Sequence, residues 1–359
     1  MPILAINSGS TSIKYKLIDV DETEIKQGDI VNVKDHFLAI KQVLREIGDL
    51  RNLVAVGHRV VHGGPRFFSP LLINNDNLKE LEQFNNLAPL HNPYNLIGIK
   101  AAIAYLPQAK QVAVFDSAFY SKLPDTAKFY ALPLELTKEY NIHRYGFHGI
   151  SHKFVMQEGA RLLKKKIDKI NLVSCHLGGG WSITAIKNGS PIDTSMGFTP
   201  LDGLVMMTRA GDIDPGVIFK LLKEMPGEVN QAKVDELYNI LNNQSGIKGL
   251  TGFEDYQAFL ARVSSGGREA NLAFDLAINR LVKYIGAYWT ILEGKADAII
   301  FTGAIGAGNP ETRNQVKQKI KCLGELPMLA IKTNEELMIA REVKELLIKN
   351  VNLKMKNDN

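Results

Sequence analysis

Residues 3–6 (ILAI) form an apolar run and residues 13–18 (IKYKLI) alternate apolar with polar, while the turn formers NSGSTS lie between them. That pattern predicts a strand, a tight turn and a second strand. Residues 53–61 (LVAVGHRVV) and 111–115 (QVAVF) read as further strands, the second ending at Asp116. Between them, 76–87 and 94–105 carry apolar residues at helical spacing. Near residue 171 the opening pattern returns: NLVSCHL as a strand, GGG as a turn and WSITAIKNG as an alternating strand. A third case, ADAIIFTGAIGAGNP, is a buried strand running into a Gly-rich turn and then a helix. Long helices are expected at 151–165 and 271–293, the second apolar over much of its circumference and therefore interior. The last helix is expected from Thr333, with Thr333 and Glu336 as a T-x-x-E capping box. The run KKKIDK at 164–169 reads as a solvated helix end, and the tail KMKNDN is expected to fray.

Strand-turn-strand units in both halves, with helices between, imply an α/β protein of two related domains, and a cleft between the two is the natural ligand site. The 359 residues suit about two domains at roughly 150 residues each. A formal net charge of +5 with Lys and Arg spread along the chain argues against a nucleic-acid surface and suits an enzyme with anionic ligands. No apolar stretch of about 18 residues is present, so no membrane partner is expected. The start MPILAINSGS lacks a basic segment and its apolar run breaks at Asn7, which is not the pattern of a signal peptide. The two cysteines, Cys175 and Cys322, lie in apolar surroundings without ligand spacing. Two free buried thiols in a reducing, cytoplasmic setting are expected.

Candidate chemistry starts in NSGSTSIKY. A turn of small residues leaves backbone N–H groups free for an anion, Ser8, Ser10, Thr11 and Ser12 add hydroxyls, and Lys14 adds charge. An ordinary polar hairpin would have the same composition. The loop HLGGG (176–180) lets backbone approach a bulky ligand, or is a plain turn. Arg59 in GHRVVHGG and Arg209 in TRAGDIDPG lie among apolar or small residues, where an arginine needs an anionic partner, ligand or structural carboxylate. Asp116 at a strand end is either functional or a cap. Of eight histidines, His148, flanked by glycines in RYGFHGISH, is the most suggestive. No metal-site, nucleophile-elbow, Walker A or dinucleotide motif is present.

NSGSTSIKY, GHRVVHGG, APLHNPYN, VFDSAF, YGFHGISHK, CHLGGG, DTSMGFTPLDGL, TRAGDIDP and TNEEL follow one another over residues 3 to about 341, and in this order they resemble the acetate kinases. The resemblance implies two duplicated ribonuclease-H-like domains of the actin-like ATPase superfold with an interdomain cleft. The expected first domain is 1–120 plus 336–359, completed by the C-terminal helix; the second, 121–335, carries the nucleotide site. A homodimer, Mg²⁺ or Mn²⁺, and ATP/ADP with acetate as substrates are also implied. Carried over by position, Asn7 and Glu335 would surround the metal, and Ser10, Ser12 and Lys14 would form the first phosphate loop. Arg59, Arg209 and His148 would clamp the transferred phosphoryl group, with Asp116 the essential carboxylate. Arg59 would also meet the substrate, whose methyl would sit against Val61, Leu90, Phe147 and Pro200. His91 and His176 fall near the phosphates. Gly178, Gly179, Gly180, Asp255, Tyr256, Gln257, Gly303, Ala304, Gly306 and Gly308 fall on the nucleotide side. Acetate is ionised at neutral pH, since carboxylic acids titrate near 4. No general base is needed, and Asp116 is expected to orient metal-bound water or an arginine.

Three departures fall on that nucleotide side. The second loop usually reads H-L-G-N-G, and Gly179 stands for the asparagine. A usual D-x-R reads Asp255, Tyr256, Gln257. The third loop, usually G-I-G-E-N, ends Gly306, Ala307, Gly308. Each loss of a donor or charge costs about 1–3 kcal/mol of donor binding, so weak ATP affinity, or pyrophosphate or another nucleotide as donor, is an open alternative. A propionate or other short-chain acyl kinase, or a non-catalytic nucleotide-binding relative, is the alternative function.

Overall fold

The computed structural model describes residues 2–357, with the backbone alone for 353–357. Eleven strands form two sheets: β1 (Ile3–Ser8), β2 (Ser12–Ile18), β3 (Glu24–Val31), β4 (Ala55–Val60), β5 (Leu71–Leu72) and β6 (Lys110–Phe115) in one, and β7 (Leu172–Leu177), β8 (Trp181–Lys187), β9 (Ser190–Thr194), β10 (Ala298–Thr302) and β11 (Met328–Ala330) in the other. The first sheet has the order β3-β2-β1-β4-β6-β5 and the second β11-β10-β7-β8-β9. In each, an antiparallel three-strand meander is extended by two strands parallel to the first strand of that meander, and the first sheet adds the short β5 antiparallel to β6 at its edge. The same topology therefore occurs twice, as two mixed sheets of the actin-like ATPase fold, although the two halves share no close sequence repeat.

The chain divides into two compact units, Met1–Ser121 with Phe147–Phe154 and Asn334–Asn359, and Lys122–Gly146 with Val155–Thr333. In the first, β1 and β4 are buried on both faces, as near-continuous apolar strands require. Helices α1 (His36–Ile47) and α2 (Asn92–Tyr105) pack with this sheet around Leu4, Ile6, Val43, Val56 and Ala102. Among the helices that follow in the chain are α3 (Gly149–Leu162) and the long α4 (Arg268–Ile291). The C-terminal helix, α5 (Glu335–Asn357), covers β1, β2, β4 and β6. It lies so close to β4 that a Cβ on Gly57 would meet Ile339 and Val343 at 2.6 and 2.7 Å. In the second unit, Gly159 of α3 sits against Ile300 of β10, and α4 packs on β7 and β8.

Four expectations are corrected. Helix α4 is buried on one face only, through Phe274, Ile278, Leu281 and Ile285, while Leu272 and Leu276 are exposed. The helix α5 begins at Glu335, and its cap hydrogen bond runs from Leu337 N–H to the Asn334 side chain, so the cap comes one residue later than Thr333. This helix continues through Asn357, so 354–357 are helical rather than frayed; the final two residues lie outside the described ones. Cys175 is buried as expected, but Cys322 is exposed, because it sits in a short 3₁₀ turn after the helix Pro310–Lys319. No described helix is long and apolar enough to cross a membrane.

Candidate active site

Strands β1, β4 and β6 run parallel and end side by side, where α/β folds place ligand groups. Ile6 lies opposite His58, which puts Asn7 beside Arg59, and Val60 lies opposite Phe115, which brings Asp116 to the same edge. Arg59 donates from Nε (3.1 Å) and Nη2 (2.6 Å) to Asp116 Oδ2. Its Nη1 reaches Asn7 Oδ1 at 3.4 Å and Glu335 Oε2 at 3.6 Å, and Asn7 Nδ2 donates to the same Glu335 oxygen at 3.4 Å. Asp116 is 1% exposed, and its second oxygen, Oδ1, is buried without a hydrogen-bond partner. Burial works against charge on Arg59, but Asp116 and Glu335 outweigh it and hold the guanidinium pKa up. Burial also pushes the Asp116 carboxyl up, against the pull of Arg59. A buried acceptor atom left open beside a cation is costly, and it marks where a ligand donor or ion is wanted.

The neighbouring segments shape this edge. The turn after β1 is closed by Gly9 N–H to Ser12 C=O, which leaves Ser10 and Lys14 exposed and Ser12 half-buried. Val61 and Phe147 are buried, Leu90 and His91 half-buried, and Phe147 stands edge-on to His62. His148 has φ +56°, a left-handed conformation uncommon for a non-glycine residue. Its carbonyl accepts from His152 N–H in the first turn of α3. Such strain is found preferentially at functional positions. His58, by contrast, is wholly interior: Nε2 bonds Gln111 Oε1 at 2.8 Å, and burial pushes its pKa down to about 4.

In the second unit, Thr302 of β10 lies opposite His176 of β7, so the glycine turn and the third loop are neighbours. Gly178 N–H bonds Gly180 C=O, and the Trp181 indole N–H bonds Gly178 C=O at 2.9 Å, which fixes the turn. Gly179 is exposed, and a Cβ there would meet nothing within 4 Å. The third loop is not an open turn but a short helix, Gly303–Gly308. Gly303, at φ +78°, makes the entry that a side chain would block, since a Cβ there would lie 2.5 Å from the Leu177 carbonyl oxygen. Ala304 and Gly308 are exposed; Gly306 is packed on Leu177. Arg313 Nη1 donates to the Gly306 and Ala307 carbonyls at 2.7 and 2.8 Å and holds the loop's end.

The stretch at 255–257 opens a helix. Asp255 caps the helix Tyr256–Ser264 by accepting from Ala258 N–H, and Tyr256 is buried with its hydroxyl on Thr312 at 2.9 Å. Asp255 and Gln257 are exposed. Arg209 donates to the Pro200 carbonyl at 3.2 Å, which brings these two expected site residues together, and burial lowers its pKa.

Sequence reasoning missed Asn92 and Asn95. Both are buried in the first turn of α2. Asn95 accepts from Val61 N–H (3.1 Å) and donates to Ser8 C=O (2.7 Å), while Asn92 exchanges both bonds with the His62 backbone. They tie the first turn to the segment after β4. The available signal was their i, i+3 spacing in HNPYN, which puts both on one helix face.

A family model described as the acetokinase family matches residues 22–349. The chain belongs to the acetokinase family. It is therefore an enzyme, a kinase. An acetate kinase from Clostridium novyi is 41% identical, with 98% of this chain and 99% of that protein covered. That alignment runs over 404 positions, more than this chain's 359 residues, so the relative has segments absent here. Two solved structures match with a TM-score of 0.87: Porphyromonas gingivalis acetate kinase, 31% identical over 96% of this chain and 99% of that one, and a propionate kinase from Francisella tularensis, 36% identical over 95% and 98%. Membership of the acetokinase family brings ATP or ADP as co-substrate.

Proposed function

We propose that the chain transfers the γ-phosphoryl group of ATP reversibly to acetate, giving acetyl phosphate and ADP. An acetate oxygen attacks the γ-phosphorus in line as the bond to the ADP oxygen breaks. No proton moves, because the acceptor is already a carboxylate. The observation that carries this reading is the Arg59 cluster: a guanidinium fixed by Asp116, with Asn7 and Glu335 alongside. Such groups stabilise charge spread over equatorial phosphoryl oxygens, where catalysis is mostly positioning and electrostatics. Arg209 and His148 are assigned to the same phosphoryl group. The buried Val61 and Phe147, with Leu90 and Pro200, are assigned to the acetate methyl.

Among the described residues no cluster of three or more His, Cys, Asp or Glu could hold a metal alone. Mg²⁺ is commonly bound by one or two carboxylates with waters and substrate phosphates. Glu335, Asn7 and the unpartnered Asp116 Oδ1 fit that demand. A bound Mg²⁺ or Mn²⁺ would neutralise charge on the nucleotide phosphates. Ser10, Ser12, Lys14, His91, His176 and the two glycine-rich loops are assigned to the phosphates and nucleotide. A homodimer in the cytoplasm completes the proposal.

The test is to trap acetyl phosphate as its hydroxamate from purified protein with Mg-ATP and acetate. No product at millimolar substrate, across several donors, would sink the proposal. The propionate kinase of known structure, as alike in fold as the acetate kinase, favours propionate as second substrate. One methylene is worth only about 1–3 kcal/mol in an apolar pocket, so propionate is expected to be used more slowly.

A further inference from the structure

Arg209 lies on the segment from Gly203 to Asp212, which is closed on itself at the neck. Asp212 N–H bonds Gly203 C=O at 2.9 Å, and Gly203 N–H bonds Asp212 Oδ1 at 2.7 Å. Gly203 has φ +98°, and a Cβ there would strike the Ser195 backbone. From α4, Arg280 Nη1 reaches Gly203 C=O (3.1 Å), Asp212 C=O (3.2 Å) and Asp212 Oδ2 (3.0 Å). One turn on, the Tyr284 hydroxyl donates to Asp212 Oδ2 at 2.9 Å. The far side of the loop is pinned separately: Ser245, Ile247 and Lys248 N–H groups bond the Thr208, Met206 and Met207 carbonyls.

We propose that Arg280 is a positioning residue for Arg209, locking the neck of the loop that presents it through Gly203 and Asp212. The inference rests on the assignment of Arg209 to the phosphoryl group. The neck makes the case. Arg280 spans both of its ends, and all three contacts converge on one nitrogen, so losing it removes a bond from Gly203 C=O, Asp212 C=O and Asp212 Oδ2 at once. Removing Tyr284's hydroxyl takes a bond from Asp212 Oδ2 alone. The bonds to residues 245–248 hold the loop's back, while the contacts at the neck hold its two ends. A loop tilted at the neck carries the Arg209 guanidinium away from its place, and a misplacement of about 1 Å costs about 100-fold in rate.

The experiment compares Arg280→Met, Arg280→Lys and Tyr284→Phe with the parent enzyme. Arg280→Met should lower kcat about 100-fold with the KM values for acetate and ATP nearly unchanged. Arg280→Lys keeps a charge and three N–H donors and should restore most of kcat. Tyr284→Phe should show a smaller loss that does not add to that of Arg280→Met, because both act on Asp212. Amide hydrogen exchange should quicken within 204–211 in Arg280→Met and stay slow in Gly246–Thr251. A lower melting temperature with unchanged kcat per folded molecule would mean a merely structural role and overturn the proposal, as would unchanged exchange in the loop. If the parent forms no acetyl phosphate, the functional reading fails by itself, and exchange still reports whether Arg280 locks the neck.

Discussion

Arg59 is a cation that stays charged at every accessible pH, and the fold aims two of its nitrogens at one oxygen of a buried aspartate. Arg59→Ala should lower hydroxamate formation by about 10³-fold or more. It should also cost about 3–5 kcal/mol in urea unfolding, since it strands the Asp116 carboxylate. Gly179 is a different case. Its surroundings are open and no backbone need demands glycine, so Gly179→Asn should fold normally. One restored hydrogen bond of about 1–1.5 kcal/mol should lower the KM for ATP about tenfold while that for acetate holds; an unchanged KM for ATP would place this residue outside the donor site. Asp202 tests electrostatics. Burial first, then a hydrogen bond with Asp212, push its carboxyl up from 3.8 to about 6 against the pull of Arg144. The folded state thus holds this proton more tightly than the unfolded chain. Its contribution is complete below about pH 3.8 and is lost as pH rises to about 6. Relative to the parent, Asp202→Asn should become steadily more stable across that window, as urea midpoints at several pH values would reveal.

At the scale of elements, the first turn of α2 works as a bracket. Asn95→Ala leaves a buried N–H on Val61 and a buried carbonyl on Ser8 without partners, and should cost about 2–3 kcal/mol. Chemical denaturation gives that number, and a cost under about 0.5 kcal/mol would show that the bracket is dispensable. This bracket also marks where sequence reading runs out. Strands β1, β2, β7 and β8 were legible because period-two alternation and glycine turns are local signals. The recurring strand-turn-strand units correctly implied two related sheets. Asn92 and Asn95 were illegible as clamps, because a buried amide is explained only by partners about 30 and 90 residues away. Asp255 and Tyr256 were read by position in a motif, and their capping and packing of a helix was not legible there. The one-residue error at Thr333 has a simple cause: both Thr333 and Asn334 are good caps, and only backbone geometry separates them. Within the candidate site, Asn7, Arg59, Asp116 and Glu335 meet by direct contacts, and Arg209 meets Pro200.

For the molecule as a whole, the first unit depends on residues from the far end of the chain. Its sheet is covered on one side by α5, packed into the space that Gly57 leaves open. A chain truncated after Thr333 should therefore lose the first unit, since β1 and β4 would present bare apolar faces, while the second unit keeps its full complement of elements. Limited proteolysis checks this: cleavage should concentrate before residue 121 and spare 155–333. Equal resistance in both regions would mean the helix is an accessory.

The late position of α5 has a consequence for the newborn polypeptide. A ribosome adds about 5–20 residues per second, so roughly 10–40 s separate the emergence of β6 from that of the helix that must cover it. Throughout that interval the face of the amino-terminal sheet that α5 will cover is a bare, sticky surface for a holdase to shelter. Glu335 heads the same helix, so the cluster of Asn7, Arg59, Asp116 and Glu335 closes only after that helix has emerged, and a chain released before then lacks it.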